Sequence, residues 1–247
     1  MKKIVIVNHK GGVGKTTSAI NIAAGLAKKG ERVLAVDMDA QANMTESFGL
    51  FENKETIYES FSKGSALPII EVKNNLSIVP SSLDFAGIEL EIASKIAREK
   101  ILLEKLMPLD SNYDYCIIDC PPSLGLITVN ALVAGDEVLI PMVAEYLAYR
   151  GIDSIVGIIQ QIKKHYNHKL FISGVFFTKY NEKIVLSTNI KDKVKEIFGD
   201  SLMKTFIRTN IALAESQSTG KDIYEYDPKS NGAKDYNSLV NEILKKE

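Results

Sequence analysis

Near its start the chain carries a run of residues whose types and spacing suit phosphate binding, Lys10-Gly11-Gly12-Val13-Gly14-Lys15-Thr16-Thr17. The glycines let successive backbone N–H groups turn toward an anion, and a helix starting behind them adds a partial positive charge. Lys15 is spaced to reach the β- and γ-phosphates of a nucleotide, and the Thr16 hydroxyl is spaced to coordinate Mg²⁺. The usual loop of this kind has glycine at the position of His9, so this loop is a variant with an additional lysine, Lys10, at its front.

Two alternative kinds of turn fit this run of residues less well. A tight strand-to-helix turn needs glycines, but it does not need Gly-Lys-Thr-Thr at the start of a helix. A dinucleotide-binding turn needs Gly-x-Gly-x-x-Gly spacing, which is absent here, and a lysine follows the last glycine. We therefore predict a loop that binds nucleotide phosphates.

Acidic residues follow two further apolar segments. Residues 33–36 lead into Asp37 and Asp39, and residues 115–118 lead into Asp119. Open α/β sheets bind ligands at the carboxyl ends of their strands, so these acids are expected at the same edge as the phosphate loop. Asp119 suits a Mg²⁺ ion, held directly or through water. Either Asp37 or Asp39 can orient an attacking water, and Asp39 is favoured because it lies further beyond the end of the strand. The predicted catalytic residues are Lys10, Lys15, Asp37 and Asp39.

Short apolar runs alternate with segments of helical period along the chain, which is typical of βαβ units. We predict an α/β fold, a single P-loop domain over residues 1–247, with a mostly parallel twisted sheet flanked by helices on both faces. Residues 48–66 are polar and irregular, and are expected to form a mobile surface insertion or a short helix. The predicted strands are residues 3–8, 32–37, 76–80, 114–119, 137–141, 170–178 and 202–207, and the predicted helices are residues 15–29, 87–106, 151–165, 186–198 and 233–246.

The composition excludes several classes of protein. Lys and Arg number 30 against 31 Asp and Glu, so the net charge of −1 gives no reason to expect a strongly basic surface. No run of about 18 apolar residues predicts a membrane span, and the first residues lack a signal-peptide pattern, so we expect a cytoplasmic protein. Cys116 and Cys120 have neither the paired spacing nor the nearby histidines of a zinc site, and are expected to be ordinary buried thiols.

Together these motifs resemble the ParA/Soj family of deviant Walker A ATPases, which partition plasmids and chromosomes. The resemblance covers nearly the whole chain and includes the phosphate loop and residues 37–43, 117–125 and 225–233. It implies ATP and Mg²⁺ as cofactors, and ATP hydrolysis that is slow and stimulated by a partner of the ParB type. In the family, a lysine at the place of Lys10 reaches across an ATP-sandwiched homodimer to the partner's phosphates. The ATP-bound dimer binds duplex DNA without sequence preference, associates with the nucleoid, and is released from DNA by hydrolysis.

One segment departs from the family pattern. Residues 206–215 are similar to the family sequence Ile-Pro-Arg-Asn-Val-Arg-Leu-Ser-Glu, but Thr209 and Ala212 replace its two arginines and Arg208 replaces the proline. Asn210 matches, and in the family this segment borders the adenine. The predicted nucleotide-binding residues are Lys10, Gly11, Gly12, Val13, Gly14, Lys15, Thr16, Thr17, Arg208 and Asn210, and the predicted metal-binding residues are Thr16 and Asp119.

The missing arginines bear on DNA binding, because the family's DNA contacts cannot be transferred to Thr209 and Ala212. Other cations would have to make the contacts, and our candidates are Arg208, Lys221 and Lys204. A further departure, Ala40 at a usual proline, changes the rigidity of a turn.

Two other functions fit the same phosphate loop. One is a MinD-like positioning ATPase that acts on a membrane or a protein cargo. Proteins of that kind end in a basic amphipathic helix that binds the membrane. In this chain, Leu239, Val240 and Ile243 form an apolar stripe that is expected to face the core. The other is a metabolic enzyme such as an ATP-dependent ligase, or an iron–sulfur scaffold. The chain starts at its first predicted strand, so we expect no helix-turn-helix domain of the kind that longer family members carry.

Overall fold

In the computed structural model, which describes residues 1–145 and 152–245, a seven-stranded sheet organises the chain. Its strands are β1 (Lys2–Ile6), β2 (Val33–Asp37), β3 (Ile70–Lys73), β4 (Leu76–Val79), β5 (Tyr115–Asp119), β6 (Glu137–Val143) and β7 (Phe171–Thr178). Their order is β3-β4-β2-β5-β1-β6-β7, and every neighbouring pair is parallel except β3 with β4. The fold class is therefore as predicted from the alternation of strands and helices.

Helices cover both faces of this sheet. Among the described residues, none of them is long and apolar enough to cross a membrane. They are α1 (Lys15–Lys28), α2 (Asn43–Ser47), α3 (Ile57–Ser62), α4 (Ile88–Glu91), α5 (Ile101–Leu106), α6 (Leu126–Ala134), α7 (Ile152–His165), α8 (Val185–Phe198), α9 (Ala212–Ser218), α10 (Ile223–Tyr226) and α11 (Asn231–Leu244).

Successive side chains of the central strands point to opposite faces of the sheet, because a β-strand is pleated. They therefore contribute to two hydrophobic layers, one on each face. Ile4 and Ile6 of β1 pack with Leu26 of α1 and Leu239 of α11 on one face. Val5 packs in the layer on the opposite face, which α5, α6 and α7 cover. Both faces of the sheet are thus buried, which explains why its strands read as continuous apolar runs.

Six predicted strands are confirmed to within two residues at each end, but the predicted strand at residues 202–207 is wrong. The segment does run beside β7, because Met203 and Ile207 donate backbone hydrogen bonds to Val175 and Phe177. Between those two points, the N–H groups of Lys204 and Thr205 donate to the carboxylate of Glu242 at 2.8 and 3.0 Å. Glu242 of α11 therefore takes the N–H of Thr205, which is the donor that a continuous ladder needs between Met203 and Ile207.

The predicted helix at residues 87–106 is also wrong, since it divides into α4 and α5. Ala97 between them has a left-handed backbone, with φ of 55°, which ends any regular helix. The side chain of Asn130 stabilises the break: it donates to the carbonyl of Arg98 at 2.8 Å and accepts from the N–H of Leu102 at 3.2 Å. Asn130 lies on α6, which the sequence analysis missed because this helix is apolar on nearly all sides and shows no helical period.

The other predicted helices are confirmed, with ends that shift by one or two residues; residues 151 and 246, at the predicted ends of two of them, lie outside the described residues. Residues 48–66 contain the short helix that was one of two expectations. Its start is fixed by a capping box, in which the Thr56 hydroxyl accepts from Tyr58 and the Glu59 carboxylate accepts from the N–H of Thr56 at 2.9 Å. The antiparallel edge strand β3 and the helices α2, α9 and α10 were not predicted.

A buried hydrogen bond joins the first and last described helices. The hydroxyls of Ser18 in α1 and Tyr236 in α11 lie 3.0 Å apart, and both residues are buried. The bond holds α11, which packs in the same hydrophobic layer as Ile4 and Ile6, against α1.

We expect Tyr236→Phe to lower the free energy of unfolding by about 1 to 2 kcal/mol, because it leaves the buried Ser18 hydroxyl without a partner. Urea unfolding without nucleotide measures this. The Ser18→Ala/Tyr236→Phe double variant should lose less than the sum of the single variants, whereas Tyr166→Phe, at a surface tyrosine, should change little. Strictly additive losses would contradict a bond between the two hydroxyls.

Candidate nucleotide-binding site

The phosphate loop connects β1 to α1 and adopts the backbone that its glycines permit. Gly12 and Gly14 have φ of 72° and 82°, in the left-handed region that other residues seldom adopt. The Lys15 ammonium is largely buried and lies 3.4 Å from the carbonyl oxygen of Lys10, so it closes the loop from inside. Burial lowers the pKa of Lys15, and the attraction of Asp119 opposes that shift. The loop therefore holds a lysine that an anionic ligand would stabilise.

Parallel pairing brings the predicted acids to the same edge. Asp37 at the end of β2 is the register partner of Asp119 at the end of β5, and both side chains are completely buried. Asp119 also aligns with Ile6, the last residue of β1 before the phosphate loop. The two carboxylates and the loop thus lie at neighbouring strand ends, as the sequence pattern predicted.

Asp119 has the surroundings of a cation ligand. Neither of its carboxylate oxygens has a hydrogen-bond partner among the described residues. Burial and then the nearby Asp37 raise the pKa of Asp119, while the Thr16 hydroxyl and Lys15 favour its charged form. A buried carboxylate whose charge is compensated only in part is unfavourable unless a cation completes the compensation.

A Mg²⁺ ion fits this position. Residues 1–145 and 152–245 contain no group of three or more His, Cys, Asp or Glu that could enclose a metal ion by themselves. Mg²⁺ commonly binds through one or two protein ligands and completes its octahedron with water and substrate phosphates. Asp119 and the half-buried Thr16 are the residues that would hold it here.

Asp37 and Asp39 have different environments, although both were predicted as catalytic candidates. The Asp37 carboxylate accepts hydrogen bonds from the N–H and hydroxyl of Thr45 at 2.9 and 2.7 Å and from the N–H of Asp39 at 3.1 Å. Burial raises the pKa of Asp37 to about 6, against the opposing effect of the bonds from Thr45. Asp39 is half-buried and lines the cavity described below, where it accepts from the N–H of Gln41 at 3.0 Å. Asp37 therefore fixes the loop, while Asp39 faces the space in which a ligand fits.

A cavity of about 790 Å³ opens over the phosphate loop, a size within the usual range for small-molecule sites. Asn210 and Arg208 line it, and the side-chain amide of Gln217 in α9 donates to the Thr17 hydroxyl at 3.2 Å. The Val13 side chain is fully buried, so this residue offers a ligand its backbone alone. The predicted residues that line the cavity are Gly11, Gly12, Gly14, Lys15, Thr16, Thr17, Asp39, Arg208 and Asn210.

Lys10 does not line this cavity. Its ammonium forms an ion pair with the Glu145 carboxylate at 2.6 Å, and its backbone N–H donates to the side chain of Asn8 at 3.0 Å. Glu145 is well exposed, so the pair lies at the surface. The front lysine is therefore held to one side of its own phosphate loop.

The three candidates for DNA contact have different surroundings. The Arg208 guanidinium forms a bidentate pair with Asp235, with bonds of 3.0 and 2.6 Å, so part of its hydrogen-bonding capacity is occupied. Lys204 and Lys221 are exposed residues outside the cavity.

Two further residues that were not predicted line the cavity, namely Thr178, the last residue of β7, and Lys179, directly after it. The Thr178 hydroxyl donates to the carbonyl of Val13 at 2.8 Å, and the Lys179 ammonium donates to the carbonyl of Gly12 at 3.0 Å. A signal was present, because β7 was predicted to end at Thr178 and parallel strands end at one edge.

These features define a P-loop nucleoside triphosphatase. They are a glycine loop with an internal lysine, a carboxylate suited to Mg²⁺ and a second acid facing the cavity, and all of them lie at the carboxyl edge of a parallel sheet. Comparison with known proteins identifies the family. Residues 1–172 match the sequence family described as an AAA domain.

Relatives match along the whole chain. The sporulation initiation inhibitor protein Soj of Bacillus subtilis is 41% identical over 98% of both chains. The chromosome-partitioning ATPase Soj of Treponema pallidum is 39% identical over 98% of this chain and 97% of that protein. The chain therefore belongs to the ParA/Soj family of ATPases, as the motifs predicted.

Two solved structures share the fold. A putative plasmid partition protein of Borrelia burgdorferi, bound to AMPPNP, has a TM-score of 0.85 and 30% identity, covering 100% of this chain and 99% of that one. A cobyrinic acid a,c-diamide synthase of Mycobacterium smegmatis, with a bound ATP analogue and magnesium, has a TM-score of 0.87 and 30% identity, covering 99% and 94%.

Substitution of Asp37 should affect mainly the stability of the protein, and substitution of Asp39 should affect mainly ATP hydrolysis. We expect Asp37→Ala to lower the free energy of unfolding by about 2 kcal/mol, because buried donors of Thr45 lose their acceptor. Asp39→Ala should leave stability within about 0.5 kcal/mol and reduce ATP hydrolysis roughly 100-fold, with ATP binding retained. Urea unfolding, phosphate release and nucleotide titration measure the three quantities. Normal hydrolysis in Asp39→Ala would exclude it as the group that orients water.

Proposed function

We propose that this chain is a DNA-partition ATPase, acting on a plasmid or a chromosome. In this proposal, ATP holds two copies together, the homodimer binds duplex DNA without sequence preference, and hydrolysis releases it. A ParB-type protein is the partner that stimulates hydrolysis. The ATP-bound form would be associated with the nucleoid, in the cytoplasm.

The position of Lys10 is the observation that carries this proposal. The lysine stands at the front of the phosphate loop, yet its ammonium is paired with Glu145 at 2.6 Å and does not line its own cavity. Because Glu145 is exposed, the ion pair is weak and can be exchanged for a stronger one. The phosphates of a nucleotide held by a second copy provide such a partner, since they carry more charge than one carboxylate. ATP would thereby become part of the dimer interface.

Within each copy, the residues at the strand ends would divide the chemistry. The loop N–H groups and Lys15 bind the phosphates and stabilise the charge that builds up on them in the transition state. Thr16 and Asp119 would hold Mg²⁺, which neutralises phosphate charge when bound. Asp39 would orient the attacking water, and the loop that carries it is fixed by the bonds that Asp37 accepts from Thr45. Asn210 and Arg208 line the part of the cavity that would receive the base.

The names of the relatives support the partition role. The Treponema protein is named a chromosome-partitioning ATPase, and the Borrelia structure is described as a putative plasmid partition protein. The Mycobacterium structure carries the name of a ligase-type enzyme, so the fold alone does not choose between these activities. Identity favours partition, because 39% identity to the chromosome-partitioning ATPase of Treponema exceeds 30% identity to the diamide synthase.

The other functions receive less support. The apolar stripe of α11 is buried in the core, with Leu239 and Val240 fully buried, so this stripe is not available to a membrane as a MinD-like role would require. Cys116 and Cys120 are both fully buried, which argues against a cluster held between two copies.

Lys10→Ala should abolish ATP-dependent DNA binding while leaving nucleotide affinity of the isolated chain within about threefold, because the Lys10 side chain is paired with Glu145 and does not line its own cavity. The measurement is duplex-DNA binding with no nucleotide, ADP, ATP and a slowly hydrolysed ATP analogue. Lys29→Ala, at an exposed lysine after α1, is the matched control and should behave as wild type. DNA binding that is equally strong without nucleotide, or unchanged in Lys10→Ala, would contradict the dimer switch.

The DNA contacts should respond to charge and salt. We expect Lys204→Ala and Lys221→Ala each to weaken binding of the ATP-bound form to any duplex sequence, and to reduce the slope of log affinity against log salt by about 0.9. Arg208→Ala should have a smaller effect on that slope, because Asp235 already binds its guanidinium. The single variants Lys29→Ala and Lys100→Ala, at exposed lysines, each remove one surface charge and are the controls. Equal slopes in the test and control variants would exclude Lys204 and Lys221 as contacts.

A further inference from the structure

Lys179 is a cation at the edge of the nucleotide cavity, and the functions assigned above do not use it. It lies directly after β7 and lines the cavity together with Gly11, Gly12 and Lys15. Its side chain is exposed, and its ammonium donates to the carbonyl oxygen of Gly12 at 3.0 Å. A second lysine therefore reaches the phosphate loop, from outside the loop.

The backbone at Lys179 is strained. Its φ of 50° lies in the left-handed region, which a lysine seldom adopts and which a surface loop would ordinarily avoid. Strain of this kind persists where the surrounding structure imposes it, and it concentrates at functional sites.

The neighbours on both sides impose the strain. The Thr178 hydroxyl donates to the carbonyl of Val13 at 2.8 Å and lies 3.3 Å from that of Met142, which fixes this residue to the phosphate loop. Tyr180 is buried, and its N–H donates to the carbonyl of Ile207 at 3.0 Å. Lys179 is held between these two anchors, so its position relative to the loop is set by the fold rather than by chance at the surface.

The charge of Lys179 has no acidic partner in the part of the chain that the structure describes. Arg208 is paired with Asp235 and Lys10 with Glu145, but no carboxylate lies within ion-pair distance of Lys179. A neutral carbonyl satisfies one of the three ammonium donors and does not balance the charge. A polyphosphate in the cavity would supply both acceptors and negative charge.

We propose that Lys179 is a phosphate-binding residue of the nucleotide site, a cation that contacts the phosphates of the nucleotide bound by its own chain. It differs from Lys15, which lies buried within the loop, and from Lys10, which is held away from the cavity. The inference rests on the nucleotide site that the proposed function uses, and it needs neither DNA nor a protein partner.

The test is the affinity of the full chain for Mg²⁺-ATP, measured by calorimetric titration in Lys179→Asn and Lys179→Arg variants. Asparagine accepts the left-handed backbone and removes the charge, so the fold is preserved. We expect about a tenfold loss of ATP affinity in Lys179→Asn, while Lys179→Arg stays within about twofold of wild type. The loss should shrink as the salt concentration rises, because an exposed ionic contact is screened.

Lys183→Asn is the matched control, since Lys183 is an exposed lysine four residues away that does not line the cavity. It should bind ATP as wild type does. An unchanged affinity in Lys179→Asn would overturn the inference, and so would a loss that arginine does not restore and salt does not reduce, because a defect in loop shape behaves that way. A wild-type chain that fails to bind ATP would instead overturn the proposed function.

Discussion

Parallel hydrogen bonding of β5 to both β1 and β2 is the constraint on which the rest of the structure depends. In this arrangement Asp119 is aligned with Ile6 on one side and with Asp37 on the other. The phosphate loop after β1 and the acids after β2 and β5 then emerge side by side, although more than 100 residues separate Lys15 from Asp119 along the chain. Antiparallel pairing would send their strand ends to opposite edges and leave no site.

This arrangement buries charged side chains at the edge of an apolar sheet, where burial disfavours their charged forms. The surrounding residues compensate these charges to different extents. Asp37 is compensated within the protein, by the bonds it accepts from Thr45 and Asp39. Lys15 and Asp119 are compensated less completely, and the carboxylate of Asp119 has no hydrogen-bond partner in the described residues. Nucleotide phosphates would compensate the charge of Lys15, and Mg²⁺ would compensate the charge of Asp119. The incompletely compensated charges of the site are therefore those that its expected ligands would balance.

Three lysines lie in or beside the phosphate loop, and their ammonium groups have different positions. The proposed ATP-dependent dimerisation depends on these different positions. Lys15 is buried inside the loop, Lys179 reaches it from β7, and Lys10 is turned toward Glu145 at the surface. A cation that is held by an exposed carboxylate is available to a second copy, because such a pair contributes little to stability. In the proposal, the two other lysines bind nucleotide within one copy while Lys10 makes the dimer depend on it.

The sequence by itself determined the phosphate loop, the identity of the acids at the strand ends, the parallel sheet and the family, because glycine spacing and apolar periodicity are local properties of the chain. It did not determine that residues 202–207 lose their ladder to Glu242, that Asn130 divides residues 87–106, or that Thr178 and Lys179 join the loop. Nor did it separate the environments of Asp37 and Asp39. The first three outcomes depend on groups from distant segments, and the difference between Asp37 and Asp39 depends on the contacts of Thr45 with Asp37. Only the tertiary structure decides which of these groups meet.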